Sequence, residues 1–153
     1  MAPAGGGCFV TVGTTSFDAL VRAADTPEMA AALRKRGLRS LTLQVGRGSY
    51  EPRALCGGGE GEGSGGGGVT GGGLRARWFR YAPSLASHVD AASLVVSHAG
   101  AGSIFEALRA KKPLVVVANA ALMGNHQAEL AEELARRGHL VATTPEGLVG
   151  AVE

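Results

Sequence analysis

Two short apolar runs between residues 94 and 134 constrain this chain most, because each run ends in a loop of small or polar residues that leads into a helical pattern. The run at 94–96 continues as S-H-A-G-A-G-S, and the run at 114–117 leads to N-H-Q at 125–127. Apolar runs of this length predict buried strands, and apolar residues at helical spacing predict the helices that follow. Helix N-termini after buried strands present backbone N–H groups to phosphorylated ligands. The segment therefore predicts half of a nucleotide-sugar site.

The same alternation of strand and helix continues along the whole chain. Strands are predicted at 8–12, 41–45, 77–81, 94–96, 114–117 and 139–142, and helices at 17–24, 26–36, 84–90, 103–109 and 125–137, with a last helix beginning at Glu146. Strands separated by helices require crossover connections, which favour a parallel sheet with helices on both faces. The predicted fold class is α/β, a Rossmann-like doubly wound parallel sheet whose ligand lies beyond the carboxyl ends of the strands.

The length of 153 residues suits a single domain, 1–153, with one unusual insert. Residues 57–73 include 12 glycines among 17 positions. Glycine adds no apolar surface to offset its large ordering entropy, so this Gly-rich insert is predicted to be disordered.

The charge pattern argues against a nucleic-acid partner. The formal net charge is only +2, and the basic residues are scattered except in two clusters, Arg34-Lys35-Arg36 and Arg75-Arg77-Arg80. A nucleic-acid binder needs a larger positive footprint. The two clusters are interpreted as solvated faces, with an acidic partner or anionic lipid headgroups as alternatives.

The sequence predicts a protein of a reducing, cytosolic environment. Cys8 begins an apolar strand and Cys56 lies beside the insert, so these two cysteines are not expected to pair. The printed sequence contains no apolar run near the roughly 20 residues that span a bilayer, nor a signal-peptide pattern at its start. Contact with a membrane is expected to require another molecule.

The loop Gly13-Thr14-Thr15-Ser16 is the first candidate binding element. Small residues and hydroxyls at a helix N-terminus can surround a diphosphate with backbone amides and O–H donors. The competing interpretation is an ordinary helix cap made by Thr15 or Ser16.

The second candidate element is the loop from His98 through Gly100, Ala101 and Gly102 to Ser103. Its glycines allow close approach of a ligand, but the third glycine of G-x-G-x-x-G is replaced by Phe105, and the P-loop pattern is also missing from the sequence. Three residues after Ser103, Glu106 either completes a capping box or binds the two ribose hydroxyls of a nucleotide.

The third element is Asn125-His126-Gln127, where amide and imidazole groups can read sugar hydroxyls and carbonyls. An Asn cap followed by an exposed polar turn explains the same residues. The histidine and cysteine spacings match no metal motif, and the sequence has no G-x-S-x-G elbow. Neither a metal nor a cofactor is expected.

These runs together resemble a known family. The stretches VTVGTTSFDALV, LQVGRG, LVVSHAGAGSIFEAL, KPLVVVANAALMGNHQAELAEEL and GHL resemble the soluble catalytic subunits of the UDP-N-acetylglucosamine transferase of dolichol-linked oligosaccharide synthesis. That family is similar to the donor-binding half of the bacterial B-type glycosyltransferase that acts on lipid-linked muramyl peptide. The resemblance covers nearly the whole chain apart from the insert and the extreme N-terminus.

The resemblance implies a role for each matching position. Gly13, Thr14 and Thr15 would lie near the diphosphate, as would the loop at 100–103. Glu106 would hold the ribose hydroxyls, and Phe79 would lie by the uracil. His126 and Gln127 would contact the sugar and the rest of the donor, next to the candidate Asn125. His98 stands where the bacterial relative has arginine.

The resemblance further implies inverting transfer of the second N-acetylglucosamine to a dolichol-linked acceptor. A membrane-anchored partner subunit would hold that acceptor, supply the general base and recruit the chain to the cytosolic face of the endoplasmic reticulum. Two alternatives remain open from the sequence. One is a non-catalytic nucleotide-sugar-binding regulatory copy of the subunit, and the other is a fragment of a nucleotide-sugar epimerase.

Overall fold

The computed structural model describes residues 6–13, 16–50, 52, 65–69, 73–81, 85–99, 101–117, 133–138 and 140–152, with the backbone alone at 65–69 and 101–103. Its strands are β1 (Gly7–Thr11), β2 (Ser40–Gln44), β3 (Gly65–Val69), β4 (Arg75–Phe79), β5 (Ala92–His98), β6 (Leu114–Val117) and β7 (Val141–Thr143). Its helices are α1 (Asp18–Ala24), α2 (Pro27–Lys35), α3 (Ala86–Ala91), α4 (Ala101–Arg109), α5 (133–136) and α6 (Leu148–Val152). A 3₁₀ turn at Pro145–Gly147 precedes α6.

The described strands form one sheet in the order β3-β4-β2-β1-β5-β6-β7. Every neighbouring pair is parallel except β3 with β4. The chain moves from β1 outward to β2 and β4, and then returns to the other side of β1 to form β5, β6 and β7. The predicted Rossmann-like doubly wound sheet is confirmed, and the strand order reverses between β1 and β5.

Helices cover the sheet on both faces because side chains alternate along each strand. Val10 of β1 packs in the core beneath α1, α2 and α6, whereas its neighbour Phe9 packs in the core beneath α3 and α4. Leu33 of α2 and Ile104 of α4 are fully buried in these two layers. Each such side chain contributes about 1.5–3 kcal/mol by leaving water.

Helix α2 begins and ends at residues that the sequence predicts. The hydroxyl of Thr26 accepts a hydrogen bond from the Met29 N–H at 3.1 Å and so caps the N-terminus. At the other end, Gly37 has a φ of +82°, and the Leu38 N–H returns to the Leu33 carbonyl at 2.9 Å. Glycine adopts this left-handed conformation without steric cost, so the helix stops there.

The prediction of a disordered insert is wrong for residues 65–69. These residues form β3, which pairs antiparallel with β4 from Gly65 opposite Phe79 to Val69 opposite Arg75. A strand of glycines buries little side-chain surface, but its backbone N–H and C=O groups can bond to the open edge of β4. The positions 57–64 and 70–72 of the insert lie outside the described residues.

Cys8 is buried in β1 at 2% exposure and forms no disulfide. Burial raises the pKa of its thiol to about 12. Because the thiolate is the reactive species, we expect Cys8 to resist a thiol reagent in the native protein and to react on unfolding. The measurement uses the Cys56→Ser variant, so that labelling reports Cys8 alone. Labelling in native buffer at the rate of an unstructured cysteine peptide would contradict the expectation.

Candidate functional site

The candidate site lies at the carboxyl ends of β1 and β5. These strands are hydrogen-bonded neighbours, and Thr11 at the end of β1 lies opposite Ser97 in β5. Gly13 follows β1 and His98 ends β5, so the loops after both strands begin side by side. Because the strand order reverses between β1 and β5, this is the position at which sheets of this class bind ligands.

Gly13 and His98, which the sequence predicts separately, are in close proximity. Gly13 has a φ of +67°, and a Cβ atom built on it would lie 2.7 Å from Nε2 of His98. His98 itself is 8% exposed. Only glycine satisfies both the backbone conformation and the space beside the imidazole.

Burial lowers the pKa of His98 below its ordinary value of 6.5. The imidazole is therefore neutral at pH 7 and supplies no full positive charge to the candidate site. Any contribution of His98 to a bound anion comes from hydrogen bonding through a ring N–H.

The lowered pKa of His98 predicts a pH-dependent stability. The folded state binds this proton less readily than the unfolded state, so stability is lost as the pH falls below 6.5 towards the folded pKa. We expect urea unfolding between about pH 5 and 8 to show that the wild type loses stability as the pH falls. The His98→Gln variant should lack this loss. A constant difference between the two proteins across this range would contradict the assignment.

Gln44 fixes the first loop, and the sequence analysis missed it. Its Oε1 accepts hydrogen bonds from the Thr11 hydroxyl at 2.6 Å, the Val12 N–H at 3.1 Å and the Gly13 N–H at 3.0 Å. Its Nε2 donates to the carbonyls of Gly13 at 2.9 Å and Arg80 at 2.7 Å. The buried amide thus ties the segments after β1 and β4 to the end of β2. A glutamine inside the apolar run L-T-L-Q-V was the available signal.

The loop after β2 is anchored from two sides. Nη1 of Arg80 donates to the carbonyls of Gly46 at 3.2 Å and Gly48 at 2.8 Å. The carboxylate of Asp18, in the first turn of α1, accepts from the N–H groups of Ser49 at 3.2 Å and Tyr50 at 3.3 Å. These hydrogen bonds therefore hold the segment LQVGRG in place at the same edge of the sheet.

Helix α4 begins at Ala101, two residues earlier than predicted. Its first N–H groups, at 101–103, have no intrahelical acceptors, and they lie just after the carboxyl end of β5. A capping box requires the serine to precede the first helical residue, whereas Ser103 is the third residue of α4. The capping-box interpretation of Ser103 and Glu106 is therefore wrong.

The interpretation of Ser16 as the N-cap of α1 is also wrong. The N-cap of α1 is Phe17, which makes no side-chain capping hydrogen bond. The bulky Phe17 is buried instead and packs in the core. Thr15 lies outside the described residues.

Glu106 lies in the second turn of α4 and is half-buried. Its neighbours Ile104 and Ala107 are fully buried against the sheet, whereas Phe105 is 46% exposed. At 1.5 Å per residue, Glu106 lies about 7.5 Å along the helix axis from Ala101. The carboxylate is thus near the helix N-terminus without being part of it.

Phe79 ends β4, which is two strands from β1 in the sheet. Its half-buried ring lies 4.7 Å from the His88 ring and 6.4 Å from the Phe9 ring, measured between centroids. Tyr81, two residues later, is 54% exposed. The predicted residues Thr14, Thr15, Gly100, Asn125, His126 and Gln127 lie outside the described residues, so their roles stay predictions.

The described part of the chain shows neither a membrane-spanning helix nor a cluster of metal ligands. None of its helices combines the length and apolar character needed to cross a bilayer. Its histidine, cysteine, aspartate and glutamate side chains form no group of three or more suited to a metal ion.

The switch point between β1 and β5, with Gly13 against His98 and the N-terminus of α4 alongside, is the ligand-binding position of doubly wound α/β proteins. The chain belongs to the glycosyltransferase family 28 C-terminal domain, whose family model matches residues 7–153. The resemblance found in the sequence is confirmed.

Curated relatives carry the name UDP-N-acetylglucosamine transferase subunit ALG13. The human protein is 41% identical over 136 residues, which are 89% of this chain and 11% of that protein. The Yarrowia lipolytica protein is 38% identical, over 94% of this chain and 67% of its own length. This chain therefore spans about a tenth of the human and mouse relatives and most of several yeast ones.

Solved structures give the same assignment of fold. The NMR solution structure of ALG13 superposes with a TM-score of 0.71 at 31% identity, covering 95% of this chain and 82% of that one. The crystal structure of Acinetobacter baumannii MurG superposes with a TM-score of 0.70 at 20% identity, over 98% of this chain and 41% of that one.

Proposed function

We propose that this chain is the donor-binding, catalytic subunit of a heteromeric glycosyltransferase. It adds the second N-acetylglucosamine from UDP-N-acetylglucosamine to N-acetylglucosaminyl-diphosphodolichol. The observation that carries the proposal is the Gly13–His98 contact at the switch point, beside the N-terminus of α4. Family membership and the name of the relatives support the choice of donor.

In this proposal the donor lies along the carboxyl edge of the sheet. The diphosphate contacts the N–H groups at 101–103 and the loop of Gly13, Thr14 and Thr15. Glu106 accepts hydrogen bonds from the ribose hydroxyls, for which its offset of about 7.5 Å from the start of α4 leaves room. Phe79 lies on the uracil side, and the residues at 125–127 contact the sugar.

The proposed reaction is an inverting displacement at the anomeric carbon. The acceptor hydroxyl attacks, the bond to the donor diphosphate breaks, and UDP leaves with the bonding electrons. Backbone N–H groups at the start of α4 stabilise the charge that develops on the leaving oxygen. A neutral His98 adds hydrogen bonding there rather than a full charge.

The remaining parts of the reaction are assigned to a second subunit. A membrane-anchored partner holds the dolichol-linked acceptor at the cytosolic face of the endoplasmic reticulum and supplies the base that takes the hydroxyl proton. The relatives are named as subunits, which supports an assembly of this kind.

The test is transfer from UDP-N-acetylglucosamine to a lipid-linked N-acetylglucosamine diphosphate, with and without the co-expressed partner. We expect activity in the pair and a loss of about ten- to a hundredfold in kcat/KM in Glu106→Gln, the cost of two hydrogen bonds to a charged group. The control is Glu28→Gln, because Glu28 is exposed in the first turn of α2, away from the candidate site.

Three outcomes are distinguishable. An unchanged KM for the donor in Glu106→Gln would remove the ribose role of this residue. Donor binding without transfer in the reconstituted pair would favour the non-catalytic regulatory copy. Absence of donor binding by the intact pair would overturn the proposed function.

A further inference from the structure

A polar strip lies on the sheet face that carries α3 and α4, outside the donor edge. Ser40 and Thr42 of β2 lie in register with Arg75 and Arg77 of β4. Since alternate residues of a strand share a face, all four side chains project to the same side. The intervening Leu41 packs in the core on the opposite face.

The strip lines two adjoining cavities. The larger, of about 360 Å³, is lined by Ser40, Thr42, Arg75 and Arg77 together with backbone of the same strands. The smaller, of about 90 Å³, shares Ser40, Thr42 and Arg77 and extends to His88 of α3. Together they give an open groove large enough for a phosphate group beside two guanidinium groups.

Hydrogen bonding orients one of these guanidinium groups. Nε of Arg77 donates to the Thr42 hydroxyl at 3.2 Å, and Thr42 is itself 9% exposed. On the other side of Arg77, the paired residue of β3 is Gly67, which has no side chain. This hydrogen bond holds Arg77 beside Thr42 in the lining of the groove.

Among the described residues, no ion pair offsets the positive charge of the strip. The ion pairs in the described part of the chain join Glu133 to Arg136 and Arg137, and none involves Arg75 or Arg77. Both arginines are exposed. Burial and the charge of Arg77 lower the pKa of His88, which lines the same groove.

We propose that Arg75, Arg77 and the hydroxyls of Ser40 and Thr42 form a second anion site, which binds a phosphate group. The planar guanidinium matches two phosphate oxygens at once, and the hydroxyls donate to the others. The site lies on the face of β2 and β4 and does not depend on the proposed transferase activity. Its phosphate comes from a soluble phosphate compound or from a phospholipid headgroup.

The experiment uses the ring resonances of His88, assigned with a His88→Gln variant, as a local probe. Inorganic phosphate is titrated at constant ionic strength against chloride. We expect a saturable shift of the His88 signal and a higher His88 pKa with phosphate bound. In Arg77→Gln the dissociation constant should rise by at least about tenfold, the loss of a charge-assisted contact. Arg109→Gln, at an exposed position in the last turn of α4, should leave it unchanged.

A second arm separates the two sources of phosphate. Flotation is measured with vesicles of phosphatidylcholine alone and with added phosphatidic acid. Flotation that needs phosphatidic acid and Arg77 assigns the site to a headgroup, and a response to free phosphate alone assigns it to a soluble compound. Equal responses of wild type and Arg77→Gln in both arms would overturn the proposal, as would no response in either.

Discussion

Replacing Gly13 with valine is expected to abolish sugar transfer by the reconstituted enzyme, with a fall in kcat/KM of more than about a hundredfold. Two penalties act together. The φ of +67° is costly for a β-branched residue, and the new Cβ would lie 2.7 Å from Nε2 of His98. Either the loop or the imidazole must move, so the candidate site changes shape.

Gly37→Val provides the matched control for this substitution. Gly37 has a similar φ of +82°, but no heavy atom lies within 4 Å of a Cβ built there. It follows α2, away from the carboxyl ends of the strands. Both variants should lose stability by about 1–2 kcal/mol from backbone strain, but only Gly13→Val should lose UDP affinity. Calorimetric titration with UDP and urea unfolding measure the two effects, and equal loss of affinity in both variants would contradict the role of Gly13.

The sequence predicted where the parallel strands lie along the chain, because most of them are short apolar runs that end at a polar or glycine residue. These features depend only on neighbours along the chain. The proximity of Gly13 and His98 was also within reach, because carboxyl ends of parallel strands share one edge of a sheet. The functional assignment depended on the resemblance, since the single motifs have ordinary structural explanations.

The features that were missed depend on contacts distant in sequence or on the backbone. Strand β3 is held by the ladder to β4, and a run of glycines carries no pattern of side chains to indicate it. The S-x-x-E pattern at Ser103 left a capping box open, but α4 begins two residues earlier, at Ala101. Gln44 was overlooked because its partners are 31 to 36 positions away.

Gln44→Leu is expected to destabilise the protein by about 3–5 kcal/mol, at the upper end for a single substitution. Gln44 is 1% exposed, and leucine has similar size, so the loss comes from hydrogen bonds rather than from a cavity. The carbonyls of Gly13 and Arg80 would lose the hydrogen bonds that Nε2 of Gln44 donates to them, at 2.9 and 2.7 Å. Urea unfolding measures the change. A loss of less than about 1 kcal/mol in the free energy of unfolding would show that the amide does not hold the loop in place.

Gln44→Glu separates hydrogen bonding from side-chain shape in the same position. A carboxylate can still accept from the Thr11 hydroxyl and the Gly13 N–H, but it places negative charge against the carbonyls of Gly13 and Arg80. Burial and the two carbonyls raise the pKa of the new carboxyl in the folded state and outweigh the donors to its other oxygen, so protonation favours folding. The destabilisation of Gln44→Glu relative to wild type should therefore shrink as the pH falls through that pKa, whereas that of Gln44→Leu should stay constant. If the stabilities of the two variants depended on pH in the same way, the role of Gln44 would be packing. Its hydrogen bonds would then not explain the position of Gly13.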